Sequence, residues 1–232
     1  FSTTTSTLAN GTYSITATAT DPAGNKSAKS TPISITIDIV DPDPPTIALG
    51  PGVKSLSNNA ENTIIGKTEP GYKVSITQKK GTDPGMGATW EGTADANGNY
   101  SIKCDLYYDW TYQLVATTTN KFGVESAPST VITITVDTVT PSAPTNLFNT
   151  SNYKINTPTI TGKAEANSTV ALEANSTVLG TATADSNGSF SITTSTLADG
   201  TYSLTATATD KAGNKSNPSN PLSVTIVTTW FN

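Results

Sequence analysis

"TYSLTATATDKAGNKS", Thr201–Ser216, stands near the end of the chain, and "TYSITATATDPAGNKS", Thr12–Ser27, stands near its beginning. In the later copy Tyr202, Leu204, Ala206 and Ala208 fall on one face, and Ser203, Thr205, Thr207 and Thr209 on the other. Alternation with a period of two marks a half-buried strand. The Asp, Gly and Asn of "DKAGN" then supply a turn. Strand and turn together set the pattern for the chain: "PTITGKA", "STVALEA", "GSFSITT" and "NPLSVTI" alternate in the same way, and "ADSNG" and "LADG" punctuate them. The 45 threonines strengthen the preference for strands. About seven short strands per 90 residues, without a convincing helix, predict an all-β antiparallel sandwich.

The near-identity of the two stretches extends outward. Phe1–Ile37 laid on Phe190–Ile226, an offset of 189, gives 28 identities in 37 positions without a gap. This is an internal duplication. A more diverged copy lies between them: "TADANGNYSI" at Thr93–Ile102 matches "TADSNGSFSI" at Thr183–Ile192, and "GKTEPGYKVSI" at Gly66–Ile76 matches "GKAEANSTVAL" at Gly162–Leu172. The two matches differ in register by six residues, taken up by the Gly-rich loop "KKGTDPGMGATW", Lys79–Trp90. Three segments follow: residues 1–40 as the C-terminal part of a repeat, 41–138 as a complete repeat with the long loop, and 139–232 as a second complete one. A partial repeat leaves strand edges unpaired, so the chain is expected to be a piece of a longer array. The joints "IDIVDPDPPTI", Ile37–Ile47, and "VDTVTPSAPT", Val136–Thr145, are proline-rich and acidic. Proline makes such linkers semi-stiff.

Composition removes most chemistry. The 13 basic residues are all lysine, with neither His nor Arg, against 18 acidic residues and a net charge of −5. Imidazole-based nucleophile pairs, His-ligated zinc and arginine clamps on phosphate are therefore absent. The charge argues against a nucleic-acid or anionic-membrane partner, and no apolar run approaches the ~20 residues of a membrane helix. No carboxylate pair stands out as a glycosidase couple, so the chain is not expected to be an enzyme. Cys104 is the single cysteine and forms no disulfide within the chain; it is expected on a strand, half-buried.

"LADGTY", Leu197–Tyr202, resembles the tyrosine corner of immunoglobulin-like domains, and recurs as "LANGTY" at Leu8–Tyr13 and less cleanly as "YYDWTY" at Tyr107–Tyr112. The position two past each tyrosine, a cysteine in antibody domains, is Ile15, Leu114 and Leu204. With "GxAE", "DxNGxxS", "LxxGxYxxTAxATDxAGNxS" and "TxDTxxPxxP" all present, nearly the whole chain resembles the bacterial Ig-like repeats of giant surface adhesins exported by type I secretion. The resemblance implies tandem Ig-like sandwiches forming an extended rod on the bacterial cell surface, a spacer serving adhesion or biofilm formation. Partners would be neighbouring repeats and, through a domain elsewhere, host-cell or surface glycans.

The resemblance also implies calcium at the junctions. In an A-to-G strand order the turns carrying Glu165, Asp185 with Asn187, and Asp210 with Asn214 return to the end where Asp137 arrives. Calcium takes six to eight hard oxygens. At the first junction the corresponding residues are Asp38, Asp41 and Asp43 with Glu69, but Asn120 and Val124 replace the acid and the asparagine of the last turn. The plain alternatives stand beside this: an Asx-type turn for Asp210 and Asn214, a hairpin turn for "DSNG" and "DANG", a solvated loop carboxylate for Glu165. Trp90, on the Gly-rich loop, is a candidate contact for a glycan or other ligand, although loop aromatics more often fold back on the sheet. Three other functions remain open: a module binding glycan, ice or a receptor, an Ig-like decoration or fibre protein of a phage virion, and an accessory domain of a polysaccharide-degrading enzyme.

Overall fold

A computed structural model describes residues 2–79, 87–152 and 154–228 of the chain. Among these residues the regular structure is entirely β. In chain order the first strands are β1 (Gly11–Ile15), β2 (Ile33–Ile37), β3 (Ala48–Leu49), β4 (Leu56–Ser57), β5 (Glu61–Lys67) and β6 (Lys73–Gln78). Then come β7 (Thr89–Thr93), β8 (Asn99–Asp105), β9 (Thr111–Thr119), β10 (Ile132–Val136), β11 (Thr145–Asn149) and β12 (Thr159–Lys163). The last are β13 (Thr169–Ala174), β14 (Thr177–Thr183), β15 (Ser189–Thr193), β16 (Gly200–Thr209) and β17 (Leu222–Ile226). The chain divides into two compact units, one of Phe1–Gly50, Thr63–Lys103 and Gln113–Ile132, the other of Pro51–Asn62, Cys104–Tyr112 and Thr133–Asn232.

In the first unit β1 and β2 pair antiparallel, with Tyr13 opposite Ile35. Further along, β6 pairs antiparallel with both β7 and β9, and β3 with β5. Alternation does what the sequence asks: Val74 and Ile76 of β6 and Leu114 and Ala116 of β9 are buried, while Lys73 and Gln113 are exposed. The Gly of "GKTE" has a packing reason, because a Cβ on Gly66 would collide with the Tyr100 hydroxyl and the Thr46 carbonyl. That hydroxyl donates to the same Thr46 carbonyl, so the glycine lets a buried tyrosine find its acceptor. Trp90 differs from its expected loop position: it begins no loop but lies in β7, opposite Ile76 and half-buried. Residues 80–86 of the Gly-rich stretch lie outside the described residues.

The second unit contains the last repeat as seven strands in two sheets, β11-β12-β15 and β14-β13-β16-β17. Between them pack Ile160, Val170, Leu172, Phe190, Ile192, Leu204, Val224 and Ile226. Burying each such aliphatic side chain stabilises the fold by roughly 1.5–3 kcal/mol. The fourth strand joins the sheet of the third because a two-residue turn links them: Asn175 and Ser176 both adopt positive φ, 48° and 65°. Two successive positive φ values give the primed hairpin turn that matches strand twist.

The same unit holds part of the middle repeat. There β4 runs parallel to β10, with Leu56 opposite Thr135 and Ser57 opposite Val136. Cys104, expected half-buried, is fully buried. Burial in the first place, and the Asp105 charge after it, push its thiol up to about 12.

All three tyrosine corners form. Tyr13 donates to the Ala9 carbonyl at 2.9 Å, Tyr112 to Tyr108 at 2.9 Å and Tyr202 to Ala198 at 3.0 Å. "YYDWTY" therefore makes the same corner as "LADGTY". Leu114 and Leu204, where antibody domains carry a cysteine, are completely buried, whereas Ile15 in the first copy is 37% exposed.

Candidate functional site

The turn between β16 and β17 is built by Asp210. Its Oδ1 accepts from the backbone amides of Gly213 (2.7 Å) and Asn214 (2.9 Å), and its own amide donates to the Asn214 carbonyl at 3.1 Å. Gly213 sits at φ +106°, a conformation that L side chains resist. Burial raises the Asp210 carboxyl, but hydrogen bonds from the Asn214 side chain and from the Asn214, Gly213 and Ala212 amides outweigh it and hold it below its ordinary value. Hydrogen bonds to the charged form have this effect generally.

Asn214 does more than close the turn. It is buried, and its Nδ2 donates twice, to Asp210 Oδ2 at 2.8 Å and to the backbone carbonyl of Asp137 at 2.7 Å. Asp137 lies 77 positions away, at the head of the linker that leaves the middle repeat. Its own amide donates to Ser57 O at 2.9 Å, continuing the β10 edge. Ala212 is also buried, against a cavity of about 240 Å³ shared with Leu56, Asn58 and Glu61. A Cβ on Gly213 would stand 3.3 Å from Asn58 Nδ2, so a side chain at this position would crowd Asn58. All of these residues belong to the second unit.

The structure thus brings Asp137, Asp210 and Asn214 together. Glu165 is exposed on the turn between β12 and β13, beside Ser142, Ala143 and Lys163. In the first unit Asp38 Oδ1 accepts from Val40 N at 3.3 Å, and Asp41 and Glu69 are exposed. Asp185 Oδ1 accepts from Asn187 N and Ser189 N, both at 2.8 Å, the bonds of a plain hairpin turn. The Asp137 carbonyl and the Asp210 carboxylate offer oxygens of the kind a hard cation takes, and both accept from Asn214 Nδ2. They fall short of the six to eight oxygens that calcium takes, and no three His, Cys, Asp or Glu residues converge on a metal-sized point among the described residues.

Sequence reading missed a second set of contacts, at the exit of every repeat. Asn10 Oδ1 accepts from Ile39 N at 2.9 Å, and Asp199 Oδ1 accepts from Thr228 N at 2.8 Å and Thr228 Oγ1 at 2.6 Å. Asp109 binds Thr138 in the same way, its Oδ1 accepting from Thr138 Oγ1 at 2.9 Å. Acceptor and donor are 29 residues apart in each case. The signal was available: an Asn or Asp stands three residues before each corner tyrosine. It was hidden because the same residues are ordinary turn formers.

Comparison with known families decides the grouping. The family model described as bacterial Ig-like domain matches residues 1–39 and 149–228, and a second model, bacterial Ig domain, matches residues 51–135. The chain belongs to the bacterial Ig-like domain family. Among solved structures, this Ig-like chain is similar to a biofilm associated protein's BSP domain at 22% identity and a TM-score of 0.32, over 75% of this chain and 28% of that one. It spans less than a third of that neighbour's length. Fibronectin(III)-like modules of Clostridium thermocellum CbhA match at 15% identity and TM-score 0.48, over 78% of this chain and 94% of theirs. The chicken CNTN1 FN1–FN3 domains match at 16% identity and TM-score 0.46, over 88% and 72%. No curated protein matches the chain.

Proposed function

We propose that these tandem Ig-like domains are a spacer in a bacterial surface adhesin, exposed outside the cell and serving adhesion or biofilm formation. The observation that carries this reading is the set of exit contacts. Asn10, Asp109 and Asp199 each fasten the chain segment that leaves their own repeat. A side-chain oxygen that fixes the direction of a linker is of little use to a catalyst and of direct use to a spacer. The chemistry of enzymes is correspondingly thin, with no His or Arg in the sequence. The partners in this reading are neighbouring repeats, with any glycan or receptor bound by a domain elsewhere in the full protein.

Calcium enters the proposal as an added ligand of the Asp137, Glu165 and Asp210 oxygens, and of Asp38, Asp41 and Glu69 at the first junction. A ligand bound only by the assembled junction favours the assembled state by mass action. Small-angle X-ray scattering in millimolar calcium and in EDTA tests this part. A particle that loses flexibility when calcium is present supports it; superimposable curves remove calcium and leave the exit contacts as the stiffening element. The alternative of a glycan-binding module through Trp90 gains nothing from that residue's half-buried place opposite Ile76.

A further inference from the structure

We propose that the Asp-x-Ala-Gly-Asn turn is a receptor for the main chain of the linker leaving a preceding repeat, with the asparagine carboxamide as the group that recognises it. This rests on the spacer reading but not on calcium. The argument begins with donors and acceptors. A carboxamide nitrogen carries two hydrogens. In the last repeat one goes to Asp210 Oδ2, within the turn, and the other reaches out to the Asp137 carbonyl. The inner bond orients the amide and the outer bond holds the linker, while Ala212 is buried beside Asn58. Recognition through a backbone carbonyl does not depend on the linker's side chains, which allows one turn to dock linkers of varied sequence.

The other two copies sharpen the inference in opposite directions. In "DPAGN" the inner bond is present, Asn25 Nδ2 to Asp21 Oδ2 at 2.9 Å, but the turn is exposed and the second hydrogen of Asn25 has no acceptor among the described residues. A Cβ on Gly24 would meet nothing within 4 Å. By this proposal the exposed Asn25 carboxamide is the group that would accept a main-chain segment like Val136–Thr138. In the middle copy "NKFGV" the turn is kept by Asn120, whose Oδ1 accepts from Phe122 N at 2.9 Å and Val124 N at 3.0 Å. The position of the recognising asparagine is taken by Val124, which offers no side-chain donor. The middle repeat therefore lacks this means of docking the linker that follows β2.

The test uses the full 232-residue chain in EDTA, so that calcium takes no part. Cysteines introduced at the exposed Tyr107 and Val178 carry spin labels, while the buried Cys104 stays unreacted. The expected result is a narrow distance distribution that broadens severalfold in Asn214→Ala. A distribution equally narrow in that variant overturns the proposal. If Asn214→Ala fails to fold, the unaltered chain still decides the matter: a through-hydrogen-bond scalar coupling between the Asn214 carboxamide nitrogen and the Asp137 carbonyl carbon supports the receptor, and its absence overturns it. A chain narrow in calcium but broad in EDTA keeps the calcium reading and overturns this one. One narrow in EDTA and unchanged by calcium supports this one and sinks calcium.

Discussion

Asp21–Ser27 and Asp210–Ser216 differ at a single position, Pro22 against Lys211, and they fold into the same turn. In each, the backbone amide of the asparagine donates to the aspartate Oδ1 at 2.9 Å, and serine Oγ accepts from the amide of a preceding alanine at 2.9 Å. Their surroundings are opposite. Ala23, Asn25 and Ser27 are exposed, whereas Ala212, Asn214 and Ser216 are buried. Local chemistry dictates the turn, and neighbours dictate what the turn then does. The same turn is therefore compatible with a buried and with an exposed setting.

Paired substitutions put this comparison at risk. The largest difference is expected from the strand before each turn: Leu204→Ala empties a completely buried site and costs about 2–5 kcal/mol. Ile15→Ala, at a 37% exposed position, costs no more than about 1 kcal/mol. Hydrogen exchange of the β16 and β1 amides in each variant reads the two costs. Next come the serines. Ser216→Ala leaves the buried Ala208 amide without its acceptor and costs about 1–3 kcal/mol, while in Ser27→Ala water replaces the hydroxyl at an exposed site and the loss is smaller. Equal losses in thermal unfolding would show that burial does not separate the copies.

Glycine comes third. Gly24→Ala and Gly213→Ala both force alanine to positive φ, +92° and +106°, at about 1 kcal/mol each. Only the second also pushes on Asn58 at 3.3 Å. The difference between the two variants, read from urea midpoints, measures that contact. The smallest effect is on pH. The side chain of Asn25 in the first place, then its amide, hold Asp21 below its ordinary value of 3.8, and Asp210 is lowered too. A depressed folded-state value stabilises the turn above pH 3.8, and the support is lost as pH falls through the folded value. Carboxyl titration by NMR should place both midpoints under 3.8, and Asn214→Ala should raise that of Asp210 alone.

The sandwich was legible because its signals are local. Alternation along β16, glycine at tight turns and the tyrosine three residues after Asn10, Asp109 and Asp199 all depend on neighbours in sequence. Even "YYDWTY" forms its corner, since the bond needs only the Tyr112 hydroxyl and a carbonyl four residues back. Trp90 was misplaced because its glycine-rich flank reads as loop, while the pairing of Thr89–Thr93 with β6 is a contact between distant segments. At the junction the proximity of Asp137, Asp210 and Asn214 was legible, and the hydrogen bonding of Asn214 was not. Asp137, Asp210 and Asn214 carry oxygen donors that read as a metal set, and only the three-dimensional arrangement shows the Asn214 nitrogen, not its oxygen, facing both acidic residues. Glu165 belongs to the same end by strand counting, yet side-chain reach is not written in strand order.

The parallel pairing of β4 with β10 carries a mechanical consequence. Tension that draws the start of β4 and the end of β10 apart would slide the two strands along each other. The bonds from Thr135 N to Ser55 O at 2.7 Å and from Asp137 N to Ser57 O at 2.9 Å then lie across the load and are strained together. Such a patch holds until it ruptures in one event, where a hairpin pulled from its open end would unzip bond by bond. A pull of this kind on the chain would load these two contacts together.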